Sequence, residues 1–310
     1  MRGAAVVRPV PPWFLDGMTR PGRSYMFDLL IPSLFVVIWA TGFVVARQAV
    51  PHADPFTFLW VRFLLAAAIF AAAAVVAAAP WPVTARGWRD GIIAGVLLHG
   101  LVYSGVFWAV SRGLPLAIAA LIMGLQPLAT GILVWPLLGE RVSRRRWAGI
   151  ATGFLGTALV IVPKLGGAGG FPAVAVVSCL FSMLSITLGT IWQKRTGGVA
   201  DLRTNTALQY VGAFAVMFPA ALLVEEGRFD NSLELWLGMA WAVLGLSIGG
   251  VGLLMILIRR GAVAGVASLL YLVPPIAAIM AYAGFGETLS LVQVFGMAIA
   301  ALGVAIASRG

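Results

Sequence analysis

The chain is divided into ten long apolar stretches with very little between them. They run approximately 27–46, 56–79, 88–110, 115–137, 146–163, 171–193, 203–224, 235–258, 262–284 and 289–307. A helix needs about 20 apolar residues to cross a hydrocarbon layer of about 30 Å, and each stretch is close to that length. The gaps carry turn formers, as in Pro51-His52-Ala53-Asp54-Pro55, Pro80-Trp81-Pro82 and Gly166-Gly167-Ala168-Gly169-Gly170. None of them can house a soluble domain. The short alternating strands of a membrane barrel are absent, so helices are the remaining way to satisfy a backbone in lipid. Charged residues are only 10% of the chain, where a water-facing surface needs about 25%. That excludes a water-soluble enzyme. The predicted fold class is an all-α polytopic membrane protein with ten transmembrane helices.

The first 26 residues differ. Arg2, Arg8, Pro9, Pro11, Pro12, Arg20, Pro21 and Arg23 make a basic, proline-rich lead with no long apolar run. It reads as a cytoplasmic tail, or as an upstream start with Met18 or Met26 as alternatives to Met1. With the amino terminus inside, the inner segments hold sixteen lysines and arginines and the outer loops only Arg47, Arg112, Lys164 and Arg228, while Arg62 lies within a span. By the positive-inside rule both termini face the cytoplasm of a bacterial-type inner membrane. The net charge of +10 is therefore topology signal, and nucleic acid is not an expected partner.

Sliding the chain over itself by 147 residues aligns its halves without a gap. Pro127 meets Pro274, Gly139-Glu140 meets Gly286-Glu287, and Gly149 and Gly156 meet Gly296 and Gly303. Asp54, Thr57, Gly91 and Gly105 meet Asp201, Thr204, Gly238 and Gly252. About two dozen identities fall in about 135 positions, roughly twice what so biased a composition gives by chance. The expected organisation is a tail over 1–26, a five-helix repeat over 27–163 and a second over 171–307. Five is odd, so the second repeat enters from the opposite side. Such inverted repeats are a hallmark of secondary transporters, with a central cavity near the midplane between them.

Ten spans in five-plus-five order, Gly139-Glu140 and Gly286-Glu287 after the fourth and ninth, and Arg62-Phe63 in the second resemble the EamA-type branch of the drug/metabolite transporter superfamily. The resemblance covers residues 27–307. It implies a basket of helices with spans 1, 3, 4, 6, 8 and 9 around the cavity. It also implies export of small metabolites, with exporters of aromatic and other neutral amino acids the most similar branch.

Positions i, i+3 and i+4 share a helix side. In span 3, Gly91, Gly95, His99, Tyr103 and Phe107 form one stripe, with His99 about 16 Å deep at 1.5 Å per residue. Span 4 aligns Met123, Gln126 and Thr130; span 6 aligns Ser178, Ser182, Ser185 and Gly189; span 1 offers Trp39 and span 9 Tyr271. A polar group at mid-bilayer needs a partner or water. The candidate cavity is therefore Trp39, His99, Tyr103, Met123, Gln126, Ser182, Ser185 and Tyr271, with the bridging of helices by His99 and Gln126 as the alternative. Pro127 and Pro274 each remove a backbone hydrogen bond and are expected as kinks or hinges. Arg62 is expected to snorkel outward or reach a loop carbonyl, with a substrate carboxylate as the other partner it fits. Glu140 and Glu287, beside glycine at span ends, read as helix-end anchors.

All eleven carboxylates fall in the tail, in loops or at span ends. A proton-coupled cation exporter needs a membrane-embedded carboxylate that binds proton or cation in turn. The leading expectation is thus alternating-access export of a neutral or zwitterionic small molecule, with proton coupling through His99 as the alternative. With His52 and His99 the only histidines and Cys179 the only cysteine, no metal, cofactor, disulfide or catalytic cluster is expected. The monomer is the simplest oligomeric expectation, with the Gly149/Gly153/Gly156 face as the open question.

Overall fold

The computed structural model describes residues 25–138, 143–162, 170–196, 201–253, 257 and 272–308. Ten helices are described: α1 (Tyr25–Ala49), α2 (Pro55–Val76), α3 (Ala85–Ser111), α4 in two pieces (Leu116–Met123 and Gln126–Leu138), α5 (Arg144–Ile161), α6 (Ala173–Thr196), α7 (Leu202–Val224), α8 (Leu233–Leu253), α9 (Val273–Phe285) and α10 (Leu291–Ser308). Seven of these are long and apolar enough to cross a membrane over their described lengths, and α9 and α10 are shorter apolar helices. Large apolar side chains such as Leu155, Leu222, Leu223 and Phe295 point outward. That is stable against lipid and costly against water.

The helix pairings have the two-fold symmetry that the 147-residue offset predicts. Exchange of halves turns α1–α8 into α6–α3 and α1–α9 into α6–α4, and all four pairings are present; α2–α7, α4–α9 and α5–α10 map onto themselves and are present too. The offset also carries one local irregularity across. A wide π-helical turn occupies Val96–Gly100 in α3, and Trp241–Gly250 in α8 contains its mate.

Glycine sets the tightest of these pairings. Along α5–α10, a Cβ at Gly156 would meet Gly296 O at 2.7 Å, and one at Gly303 would meet Gly149 O at 2.7 Å, the same contact seen from the other half. Close backbone approach of this kind replaces the hydrophobic drive that lipid removes. The glycine face left open by the sequence is thus covered within the chain by α10.

Both repeat prolines start a helix piece. In α4 the chain breaks at Gly124-Leu125, and Pro127 is the second residue of the piece that follows; Pro274 is likewise the second residue of α9. In a first turn the missing N–H of proline has no bond to lose. The expected kink in α4 is therefore a break, placed three residues before Pro127. The break in α4 lies against the start of α9, since a Cβ at Gly124 would lie 3.1 Å from Pro274 Cγ.

At one end of the bundle the loop after α1 is stitched to the loop after α7. Ala53 and Phe229 form an isolated β-bridge, Arg228 N donates to Asp54, and His52 Nδ1 lies 2.6 Å from Asp230. The Ser232 N–H and then the His52 ring hold the Asp230 carboxyl down at about 2. Because this depressed value lies below the ordinary carboxylate range, the stabilisation is complete above about pH 4 and is lost as pH falls through about 2. The melting-temperature gap between wild type and Asp230→Asn should therefore be constant from neutral pH to about 4 and close by about 2. A gap that persists at the lowest pH would mean the carboxylate plays no such part.

Candidate functional site

The α2–α7 pair lies on the symmetry axis, and its centre is built from mates: Arg62-Phe63 in α2 and Gln209-Tyr210 in α7. The Phe63 and Tyr210 rings lie 6.1 Å apart. The stripe of α3 meets them there. Its small end presses on α7, where a Cβ at Gly91 would lie 3.1 Å from Leu208 Cβ and one at Gly95 would fall on the Gln209 carbonyl. Its aromatic end then enters the gap. His99 stacks on Tyr210 at 4.6 Å and 20° and lies parallel to Tyr103 at 6.3 Å, and Tyr103 contacts Phe63 at 6.2 Å.

Polar groups are threaded through these rings. His99 Nε2 lies 3.1 Å from Gln209 Oε1. The Arg62 guanidinium sits over the Tyr103 ring, 4.5 Å from its centroid. Among the described residues, Arg62 Nε and Nη1 and His99 Nδ1 are buried with no hydrogen-bond partner. Arg62 is 1% exposed, so it neither snorkels nor reaches a loop carbonyl. The glycine contact with α7 and the aromatic packing around it hold the head group inside.

The other sequence candidates fall elsewhere. Ser182 and Ser185 are buried where α6 meets α3: Ser185 Oγ donates to Leu97 O (2.8 Å) and Ser178 Oγ to Gly105 O (3.0 Å), while Ser182 Oγ lies 3.3 Å from Ser178 O of its own helix and 3.5 Å from Leu101 O. Leu97 belongs to the π-helical turn and Leu101 follows it. There the usual i to i−4 ladder is broken, and the serines supply donors to its carbonyls. Their hydroxyls are engaged in this helix contact. Gln126 bonds Thr190 of α6 at 3.2 Å, away from the His99 network. Met123 packs partly buried on the main core, and Trp39 tilts on Phe35 at 5.3 Å. Glu287 accepts from Leu116 N at 2.9 Å and so caps α4 from the opposite repeat. Gly286 positions it in the left-handed conformation (φ 66°) that ends α9. Glu140 and Tyr271 lie outside the described residues.

Tyr210 and Gln209 are the central residues absent from the sequence candidates. A polar pair in the middle of an apolar span was the available signal. Glu225 was missed as well: it accepts from the N–H groups of Phe56 and Thr57 and caps α2. No group of three or more acidic, histidine or cysteine side chains suited to a metal occurs among the described residues.

The chain is similar to the "Uncharacterized inner membrane transporter YedA" of Escherichia coli (strain K12), 25% identical over 88% of each chain. It is similar to the "Probable amino-acid metabolite efflux pump" of Salmonella typhimurium, 26% identical over 90% of this chain and 94% of that one. The "Uncharacterized transporter YvbV" of Bacillus subtilis is 25% identical, and the match spans 58% of each chain. One solved crystal structure has the same fold, with a TM-score of 0.61 at 22% identity over 90% of this chain and 95% of that chain. The model of the EamA-like transporter family matches twice, over residues 27–162 and 173–309, one copy on each side of the symmetry just described. The chain belongs to the EamA-like transporter family and is a membrane transporter.

Proposed function

We propose that this protein exports small zwitterionic or neutral metabolites, aromatic and other neutral amino acids foremost, across a bacterial-type inner membrane by alternating access. The observation that carries the reading is the cluster of Arg62, His99, Tyr103 and Tyr210 on the axis that relates the two repeats. Ring faces hold an apolar or aromatic side chain, the unpartnered N–H groups of Arg62 donate to one polar end, and the His99 Nδ1 lone pair accepts from the other. Near-equivalent halves give inward-open and outward-open states of similar energy. The similarity to a protein named as an amino-acid metabolite efflux pump agrees with this substrate class, and the name YedA carries agrees with the inner membrane. Both termini in the cytoplasm follow from the loop charges.

No carboxylate lies mid-span in the sequence, so the exporter runs on the substrate's own gradient. A second reading, proton-linked export through His99, has one observation in its favour, the buried and unpartnered Nδ1. Uptake into proteoliposomes separates the two. Tryptophan, phenylalanine and threonine are compared with a lipophilic cation, with and without a pH gradient. Amino-acid flux without the gradient is expected, and cation flux only with the gradient would replace the first reading by the second.

A further inference from the structure

Arg62 is a charge in search of a counter-ion. A guanidinium keeps its proton under all working conditions, so burial cannot neutralise it. A buried charge needs a partner with hydrogen bonds, or it destabilises the state that buries it. Here the face of the group rests on Tyr103, yet Nε and Nη1 are unpartnered and no acid side chain bonds it among the described residues. Its symmetry mate, Gln209, carries no charge and is committed to His99.

His99 supplies the complementary need. A neutral imidazole that donates from Nε2 to Gln209 Oε1 presents a lone pair at Nδ1, and that atom is buried and unpartnered. Arg62 and His99 both neighbour the Tyr103 ring, the guanidinium 4.5 Å from its centroid and the imidazole parallel to it at 6.3 Å. One cluster therefore holds unpartnered cationic donors and a neutral acceptor around the Tyr103 ring, with Tyr210 stacked on the imidazole. A phosphate would satisfy the first and be repelled by the second. A lipophilic cation would be repelled by the first. An α-amino acid satisfies both.

We propose that Arg62 and His99 receive the two ends of a zwitterionic substrate, the Arg62 guanidinium taking the carboxylate and His99 Nδ1 accepting a hydrogen bond from the ammonium. This rests on the amino-acid reading above and adds which groups of the molecule are read. Arg62 is then a specificity-determining residue: it makes the carboxylate obligatory and excludes simple amines.

The test is calorimetric titration of the purified full chain in lipid nanodiscs with phenylalanine, phenethylamine and 3-phenylpropionate. In the wild type, loss of the carboxylate in phenethylamine should weaken binding by about 10-fold or more, the worth of a charge-assisted hydrogen bond. Arg62→Gln should weaken phenylalanine and 3-phenylpropionate by about 10- to 100-fold and leave phenethylamine unweakened or bound more tightly, because the repelling charge is gone. Arg62→Lys, which keeps the charge and loses the planar donors, should fall between. Equal wild-type affinity for phenylalanine and phenethylamine overturns the anchor while leaving amino-acid transport standing, and this comparison needs no variant to fold. Equal weakening of all three ligands by Arg62→Gln also overturns it, because a merely structural arginine would not discriminate. A wild type that binds none of the three removes the amino-acid reading itself.

Discussion

Gly95→Ala is expected to abolish transport, although the substitution adds one methyl group to a helix-favouring position. The new Cβ would fall on the carbonyl of Gln209. The neighbour is backbone, so no rotamer change relieves the overlap, and α3 must move away from α7. Overpacking costs typically 1–3 kcal/mol, and with rigid atoms on both sides about 3 kcal/mol or more is expected here. Separation at this point also draws the His99 ring away from Gln209 Oε1 and Tyr210. Size-exclusion profile and thermal unfolding report the first effect, and proteoliposome uptake reports the second. Gly42→Ala is the control. The nearest atoms to its added Cβ are the Leu246 methyls at 3.8 Å, so stability should stay within about 0.5 kcal/mol of wild type. Equal behaviour of the two variants would mean that α3 and α7 are not in backbone contact.

His99→Ala should reduce amino-acid uptake by about 10-fold or more while the protein remains folded. The substitution removes a ring that lies between Tyr103 and Tyr210 and leaves Gln209 Oε1 without its donor, which costs about 1–3 kcal/mol for a buried group. The two losses can be separated. His99→Phe restores the stack without the nitrogens, so it should recover the packing part of the thermal stability, leave the cost of the unpaired Gln209 Oε1, and leave uptake low. If His99→Phe transports like wild type, the ring is packing only and the polar half of the site is elsewhere.

A large part of this was legible in one dimension. The number of helices, the offset of the repeat and the stripe from Gly91 to Phe107 follow from hydropathy and spacing, and the structure places that stripe against α7 and α2 as one face. Arg62 was singled out as a charge within a span, yet its burial was not foreseen. Depth along a helix says how far a side chain is from the surface, and it does not say which way the side chain turns. Ser182 and Ser185 share a face as expected, but that face meets a widened turn of α3 whose carbonyls need donors. A π-helical turn has no reliable sequence mark.

The sequence by itself determined how often the chain crosses the membrane and that its halves repeat, because transfer into lipid depends on the summed polarity of a segment. Only the tertiary structure decided which faces meet. In water an amphipathic stripe would have pointed to the core. In lipid the faces against neighbours and against acyl chains are equally apolar, so small differences, a glycine opposite a carbonyl or an arginine beside a tyrosine, choose between them. The union of α2, α3 and α7 around Arg62, His99 and Tyr210 is of that kind: close packing built it, and hydropathy cannot see it.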